Sequence, residues 1–250
     1  MNARQRRVSW LRAALLLGFA ALIAKLFIAG EMVKYMSPAL DPLTAVTGVV
    51  MAAMGVLELF GGGSPHVHDD EPEASGMEHA LTSILIVVPL ALGILVTPRA
   101  LGAGALGGQS VADLLLAYAP GAAPAPATRG PAPSRPIADT ADLLAYLEQA
   151  GIAGVGQAVR ATGLALHDGS LGDRELALLR YSITHCVADA RPIALLVVGP
   201  GDRAPSADQW IEVEGVLAVR EREGSQLVTI AASRIVAVPE PPNPYLGAQF

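Results

Sequence analysis

The first hundred residues contain three long apolar stretches. The first covers residues 10–30 and is interrupted only by Arg12 and Lys25 near its ends, the second covers residues 43–60, and the third covers residues 81–96. About 20 residues of α-helix cross the hydrocarbon core of a bilayer. The pattern therefore predicts three transmembrane helices. A cleaved signal peptide at the first stretch, or soluble helices buried in a core at the other two, would produce a similar pattern.

From residue 158 onwards the period of the pattern changes to two, and one further segment is almost wholly apolar, both of which are typical of β-strands. The strands are predicted at residues 158–166, 175–184, 192–198, 208–220 and 226–238. Five short strands with glycines at the bends favour a Greek-key barrel of OB type, with a sandwich fragment as the alternative. A helix at residues 139–151, capped by Asp139 or Thr140, is predicted to precede them.

A stretch rich in proline and alanine, residues 120–136, separates these two patterns. Alternating Pro and Ala favours polyproline II, a semi-rigid spacer without a core. The sequence therefore predicts an α+β membrane protein in three parts. These are a transmembrane region at residues 1–104 with a loop bearing histidines and acids at 61–79, a linker at 105–137, and an all-β OB-like barrel domain with its preceding helix at 138–250.

The composition supports a chain that lies partly in lipid. Hydrophobic residues make up 52% of it and charged residues 16%, and the mean hydropathy is +0.45. The net charge of −6 and the scarcity of aromatic residues argue against binding of nucleic acid. The single cysteine excludes an intramolecular disulfide and a zinc site built from several cysteines.

The positions of the arginines predict the orientation in the cell membrane. Four arginines precede or begin the first apolar stretch, namely Arg4, Arg6, Arg7 and Arg12. Because positive charge is retained on the cytoplasmic side, the N-terminus is expected in the cytoplasm, and after three spans the C-terminal domain is expected to be extracytoplasmic. The lack of Lys and Arg in residues 61–78, and Arg99 after the third stretch, argue mildly against this orientation.

The loop between the second and third stretches carries three of the five histidines. Imidazole and carboxylate groups suit Zn²⁺ or a similar divalent cation, so the loop is a candidate metal site. Its candidate ligands are His66, His68, Asp69, Asp70 and His79. The alternative is an acidic, solvated connector, since no third ligand follows the H-x-H pair at a fixed spacing.

Three motifs in the C-terminal part carry a family resemblance. They are RYSITHCVADARP at residues 180–192, WIEVEG at residues 210–215 and PPNPY at residues 241–245. In this order they resemble the YcgQ-like family of bacterial membrane proteins, in which a membrane region with a His-rich loop precedes a C-terminal domain without an assigned function. The resemblance implies a multi-spanning YcgR-like permease as partner and a link to metal homeostasis.

The family motifs supply a second set of candidate residues, as ligands or as structural positions. They are Arg180, His185, Cys186, Asp189, Pro192, Trp210, Gly215 and Tyr245. His185 and Cys186 stand where the family has a Cys-Cys pair. Neighbours in a strand point to opposite faces, so the two side chains could share a metal ion only at a bend, with Asp189 and His167 as further candidate ligands. Otherwise Cys186 is a small core residue and Asp189 caps the amides of a turn.

Two functions are consistent with these features. The first is an accessory subunit of a membrane permease, whose extracytoplasmic barrel docks on the transporter or regulates it. The alternative is a membrane-anchored protein that binds or delivers zinc or a similar metal. An enzyme is not expected, because nucleophilic catalysis needs a thiolate and a base within hydrogen-bond reach, and adjacent residues rarely meet that geometry. No catalytic residue is therefore assigned.

Overall fold

The computed structural model describes residues 3–60, 76–117, 137, 139–150, 154–199, 205–222 and 224–247. The chain divides into two compact units, Met1–Arg99 and Ala100–Phe250. The first unit is helical and the second is built around a β-barrel.

The first unit contains the helices α1 (Ala3–Ile28), α2 (Asp41–Phe60) and α3 (Gly76–Leu95). Short 3₁₀ turns at Met32–Lys34 and Pro38–Leu40 connect α1 to α2. Glycines allow the helices to approach closely. A Cβ atom at Gly48 or Gly55 of α2 would lie 3.0 Å or less from side chains of α1. All three apolar stretches are therefore helical, as the sequence predicted.

Two of these helices are long and apolar enough to cross a membrane. The qualifying segments are Ser9–Ile28 and Pro38–Phe60, and only 11% of each 18-residue apolar window is buried within the protein. In α3, the described apolar part is the shorter segment Ile84–Leu95. Water-soluble proteins rarely expose apolar surface on this scale, so the first unit is compatible with membrane association.

The second unit begins with a 3₁₀ turn at Ala103–Leu106 and the helix α4 (Val111–Ala117). The helix α5 (Thr140–Ala150) follows. The strands are β1 (Ala158–Leu166), β2 (Glu175–Ser182), β3 (Arg191–Val198), β4 (Trp210–Arg222), β5 (Ser225–Ala237) and the short β6 (Tyr245–Leu246). The predicted helix and all five predicted strands are therefore present, with ends shifted by up to two residues.

The first five strands close into a barrel. Antiparallel ladders join β1 to β2, β2 to β3, β1 to β4 and β4 to β5. A parallel ladder closes the circle between Leu196–Val198 of β3 and Thr229–Ala231 of β5. β6 pairs in parallel with the end of β2. The predicted C-terminal β-barrel is confirmed.

Alternating side chains of the strands form two apolar cores. The inner core fills the barrel and includes Leu178, Val197, Val213 and Ile230, with Leu143 and Leu144 of α5 added to it. The outer core lies on the opposite face of the strands and includes Leu166, Leu179, Leu196 and Leu227. Buried leucines of the segment before the barrel, Leu106, Leu114 and Leu115, cover this outer face.

This cover changes the boundary that the sequence predicted. The linker was placed at residues 105–137, whereas the two units divide at Arg99 and α4 belongs to the barrel unit. Residues 118–136, which contain almost all of the proline- and alanine-rich stretch, lie outside the described residues. The α5 cap is formed by Asp139, whose Oδ1 accepts the Ala141 N–H at 2.6 Å. Thr140 instead donates to the carbonyl oxygen of Thr162.

Candidate functional site

Arg180 of β2 lies at the centre of a cluster that unites the three sequence motifs. It has the same parity along β2 as Leu176 and Leu178, whose side chains fill the inner core. Its guanidinium lies 5.2 Å from the centre of the Trp210 ring at the start of β4, an arrangement that favours a cation–π interaction. Its Nη2 donates to the carbonyl oxygen of Asn243 at 3.2 Å, and its Nη1 donates to that of Thr162 at 3.3 Å.

The charge of Arg180 is buried among neutral partners. The residue is 8% exposed, and its Nε is buried without a hydrogen-bond partner. The ion pairs of the described residues do not include it. Burial lowers the pKa of the guanidinium to about 10, and the negative charge of Asp139 offsets part of that shift. A buried cation held mainly by carbonyl dipoles reduces folding stability, so this residue is a candidate for a role beyond packing.

Two buried tyrosines flank this cluster. Tyr181 of β2 and Tyr245 of β6 are register partners in the parallel pair. The Tyr181 hydroxyl donates to the carbonyl oxygen of Gly102 at 2.9 Å, and the Tyr245 hydroxyl accepts the Leu101 N–H at 3.1 Å. Burial raises the pKa of Tyr181 to about 12 and also raises that of Tyr245. Both hydroxyls are therefore neutral at physiological pH and remain able to donate.

The second motif cluster is the turn between β2 and β3. A 3₁₀ turn at Val187–Asp189 follows Cys186. The Asp189 carboxylate accepts the backbone N–H groups of Thr184 and His185 at 2.9 Å and that of Cys186 at 3.3 Å. His185 Nδ1 lies 3.1 Å from the same carboxylate. These contacts, with the Thr184 amide first, hold the pKa of Asp189 below its usual range.

The geometry of this turn bears on the two alternatives for His185 and Cys186, a metal site or a structural turn. The expectation that Asp189 caps amides agrees with the geometry. Cys186 is half-buried and belongs to neither apolar core, and its carbonyl oxygen accepts the Asp189 N–H at 3.0 Å. His167 hydrogen-bonds through Nε2 to the carbonyl oxygen of Pro205 at 3.0 Å. Within the described part of the chain, no three His, Cys, Asp or Glu residues lie close enough to hold a metal ion.

The predicted metal ligands of the loop at residues 61–79 lie mostly outside the part of the chain that the structure describes. His66, His68, Asp69 and Asp70 lie outside the described residues, and His79 falls on the first turns of α3. The metal hypothesis for this loop stays a prediction.

Gly215 and Pro192 have structural positions in the barrel. The β4–β5 ladder contains a bulge between Glu214 and Gly215, and a Cβ on Gly215 would lie 2.3 Å from the carbonyl oxygen of Ala231. Only glycine fits this close approach. Pro192 pairs with Tyr181 at the start of β3.

Sequence reasoning missed the partners of Arg180 because they are main-chain carbonyls, which carry no signature in the sequence. It also missed Asp208, whose Oδ1 accepts the Ala103 N–H at 2.6 Å. The backbone of Asp208 is left-handed, with φ of 61°. The only sign of this conformation in the sequence is that Asp tolerates it better than most residues.

Comparisons with known proteins cover both units. A family model described as the DUF1980 N-terminal domain matches residues 11–111, and one described as the DUF1980 C-terminal domain matches residues 141–246. The UPF0703 protein YcgQ of Bacillus subtilis (strain 168) is 28% identical over 98 residues, or 38% of this chain. The match spans 34% of that relative's length.

Proposed function

Because the chain belongs to the DUF1980 family and is related to YcgQ, we propose that it is a membrane-anchored accessory subunit of a multi-spanning, YcgR-like permease. The helical unit anchors it in the bilayer, and the barrel docks on the permease or regulates it from the extracytoplasmic side. The observation that carries the proposal is the combination of apolar helices that are almost unburied with a separately folded barrel.

The exposed faces of the helices support the anchoring. Large apolar side chains such as Val49 and Leu57 of α2 and Leu85 of α3 are exposed in the protein, so lipid is the solvent that suits them. α3 has 20 residues, which at 1.5 Å per residue is about the thickness of the hydrocarbon core. This length supports a third span. The arginines at the N-terminus favour a cytoplasmic start and therefore an extracytoplasmic barrel.

The described helices offer little that could line a transport pathway. Their ionisable residues lie towards the helix ends, as with Asp41 and Glu58 of α2. Lys25 of α1 donates through Nζ to the carbonyl oxygens of Gly93 and Ile94 at 3.3 and 2.8 Å, so its charge caps the C-terminal end of α3. Transport through a membrane protein normally uses polar groups near the middle of the bilayer. A separate permease is therefore the proposed carrier of the substrate.

The topology of the barrel supports an OB-type module. Around the closed circle the strands follow the order β1, β2, β3, β5, β4, with β3 parallel to β5 and every other pair antiparallel. That arrangement is a five-stranded Greek-key barrel. Barrels of this kind serve as binding modules, which is the role proposed here for docking on the permease.

The test is affinity purification of the tagged full-length chain from its own membranes in mild detergent. We expect the protein to sediment with membranes and a multi-spanning permease to co-purify with it. Gly215→Ala, which disturbs the barrel, should reduce the recovery of permease, whereas Gly169→Ala, where a Cβ meets open space, should not. Recovery of the protein from the supernatant without detergent, or from membranes with no permease, contradicts the proposal.

A cysteine-labelling experiment tests the sidedness. In a Cys186→Ser background, Ser206→Cys places a thiol at an exposed position of the barrel unit, and Asn2→Cys places one at the N-terminus. A membrane-impermeant maleimide applied to intact cells or spheroplasts should label the first thiol and not the second. Labelling of Asn2→Cys alone would show that the orientation is the opposite of the one proposed.

A further inference from the structure

The barrel is bound to residues 100–117, here called the strap, by contacts that are independent of the peptide chain between them. The strap consists of the 3₁₀ turn at Ala103–Leu106, α4 and the residues around them, and it belongs to the same compact unit as the barrel. Residues 96–99 alone separate it in sequence from the end of α3.

Four backbone groups of the strap are held by side chains of the barrel unit. Tyr245 and Tyr181 bind the main chain of residues 101 and 102, as described above. Asp208 accepts the N–H of residue 103, and Asp168 accepts that of residue 111 at 3.0 Å. The four side chains come from β6, β2, the segment before β4 and the segment after β1. They fix the strap at several separate points.

Apolar contacts complete the attachment. Leu106, Val111, Leu114 and Leu115 are all buried against the outer core of the barrel. Without the strap, this face of β1, β2 and β3 would be a contiguous apolar surface on the barrel, which soluble domains avoid. The close fit also shows at Gly102, where a Cβ would lie 2.9 Å from the Asp208 carboxylate.

We propose that the strap is the attachment of the barrel to the helical unit, and that the proline- and alanine-rich stretch at residues 120–136 is not needed to retain it. The sequence alone presents that stretch as the tether. The contacts among the described residues assign the tethering to residues 100–117. This inference depends on the barrel unit alone and not on the proposed permease.

The test cuts the full-length chain at one of two places. A site-specific protease sequence with flexible flanks is inserted between Pro124 and Ala125 in a protein tagged at the N-terminus. After purification in mild detergent and complete cleavage, the tagged fragment is captured and washed. We expect the C-terminal fragment to stay bound. The same insertion between Arg99 and Ala100 separates strap and barrel together from the helices, and its cleavage should release both.

Substitutions in the strap contacts test whether these contacts, and not some other contact, retain the C-terminal fragment. Leu114→Asp with Leu115→Asp should release the fragment after cleavage at residue 124. Tyr181→Phe with Tyr245→Phe preserves the rings and should speed its loss about tenfold, since each lost hydrogen bond has a modest net effect. Asp113→Ala, at an exposed position on the same helix, is the matched control and should leave retention unchanged. In a Trp10→Phe background, the fluorescence of Trp210 before cleavage checks that the barrel of each variant is folded.

Either of two results overturns the proposal. One is loss of the C-terminal fragment from the unsubstituted protein after cleavage at residue 124. The other is its retention in the double leucine variant or after cleavage at residue 99, because some contact other than the strap would then hold the barrel. Both results are independent of whether a permease co-purifies, so they do not bear on the proposed function.

Discussion

Substitution of Gly215 by alanine tests whether the barrel closes as described. Gly215 follows a bulge in the β4–β5 ladder, and β4 is paired there with β1 on its other side. A Cβ would lie 2.3 Å from the carbonyl oxygen of Ala231, 2.9 Å from its carbonyl carbon and 2.9 Å from the Cα of Ala232. All three are backbone atoms in a paired strand, so no side-chain rotation can relieve the overlap.

The magnitude follows from this geometry. Overpacking a well-packed site costs about 1–3 kcal/mol, and the upper end applies where backbone must move. We therefore expect Gly215→Ala to reduce the free energy of unfolding by about 3 kcal/mol. For a unit of roughly 150 residues, each kcal/mol shifts the thermal midpoint by about 2–4 °C, which gives a decrease of about 6–12 °C.

The assay is thermal unfolding of the full-length protein in detergent, followed by the fluorescence of Trp210. A Trp10→Phe background removes the other tryptophan of the chain, which lies in α1. The matched control is Gly169→Ala, where no atom lies within 4 Å of the added Cβ and the midpoint should stay within about 2 °C. If Gly215→Ala unfolds at the same temperature as this control, β4 and β5 do not approach each other as described, and the reasoning fails.

Three further predictions concern the candidate sites. Arg180→Met removes a buried cation whose pKa is lowered by burial, so we expect the free energy of unfolding to stay the same or to rise by up to about 2 kcal/mol; Arg180→Ala also leaves a cavity and should lower the free energy of unfolding by about 3 kcal/mol in chemical denaturation. Asp189→Asn should speed hydrogen exchange of the capped amides. The folded turn holds the pKa of Asp189 below its ordinary 3.8. In the native chain the capped amides should therefore be fully protected above pH 3.8, and this protection should be lost as the pH falls through the lower pKa of the folded state. The Asn variant should show no such dependence on pH. If calorimetry detects zinc binding to the full chain, His66→Ala with His68→Ala should abolish it and Cys186→Ser should not; the reverse would place the metal site in the barrel unit.

The sequence predicted the elements whose signal is local. The period of two along residues 210–220 and the apolar run at 10–30 are sufficient for a strand and a helix, because one buried face or an apolar surround determines each pattern. The sequence did not predict the strap. Its glycines, at residues 102, 104, 107 and 108, are typical of a loop. The leucines among and after them, Leu106, Leu114 and Leu115, gain meaning only beside the outer face of a folded barrel.

The candidate site divides in the same way. The cap formed by Asp189 could be predicted, since Asp commonly accepts amides within a few residues of its own position. The contacts of Arg180 could not, because they join residues 18 and 63 positions away in the chain through carbonyl groups. The choice of Asp139 over Thr140 as the α5 cap also depended on a distant group, the main chain of Thr162, which takes up the threonine hydroxyl.

The ladders of the barrel differ greatly in length. β2 and β3 pair along their whole lengths, and β4 pairs extensively with both β1 and β5. By contrast, β1 meets β2 over Leu164–Leu166 alone, and β3 meets β5 over Leu196–Val198 alone. The wall is thus a hairpin and a three-stranded sheet joined along two short seams. Under mechanical load or in mild denaturant these two short ladders should separate first, while the β2–β3 hairpin and the β1–β4–β5 sheet each keep their internal pairing.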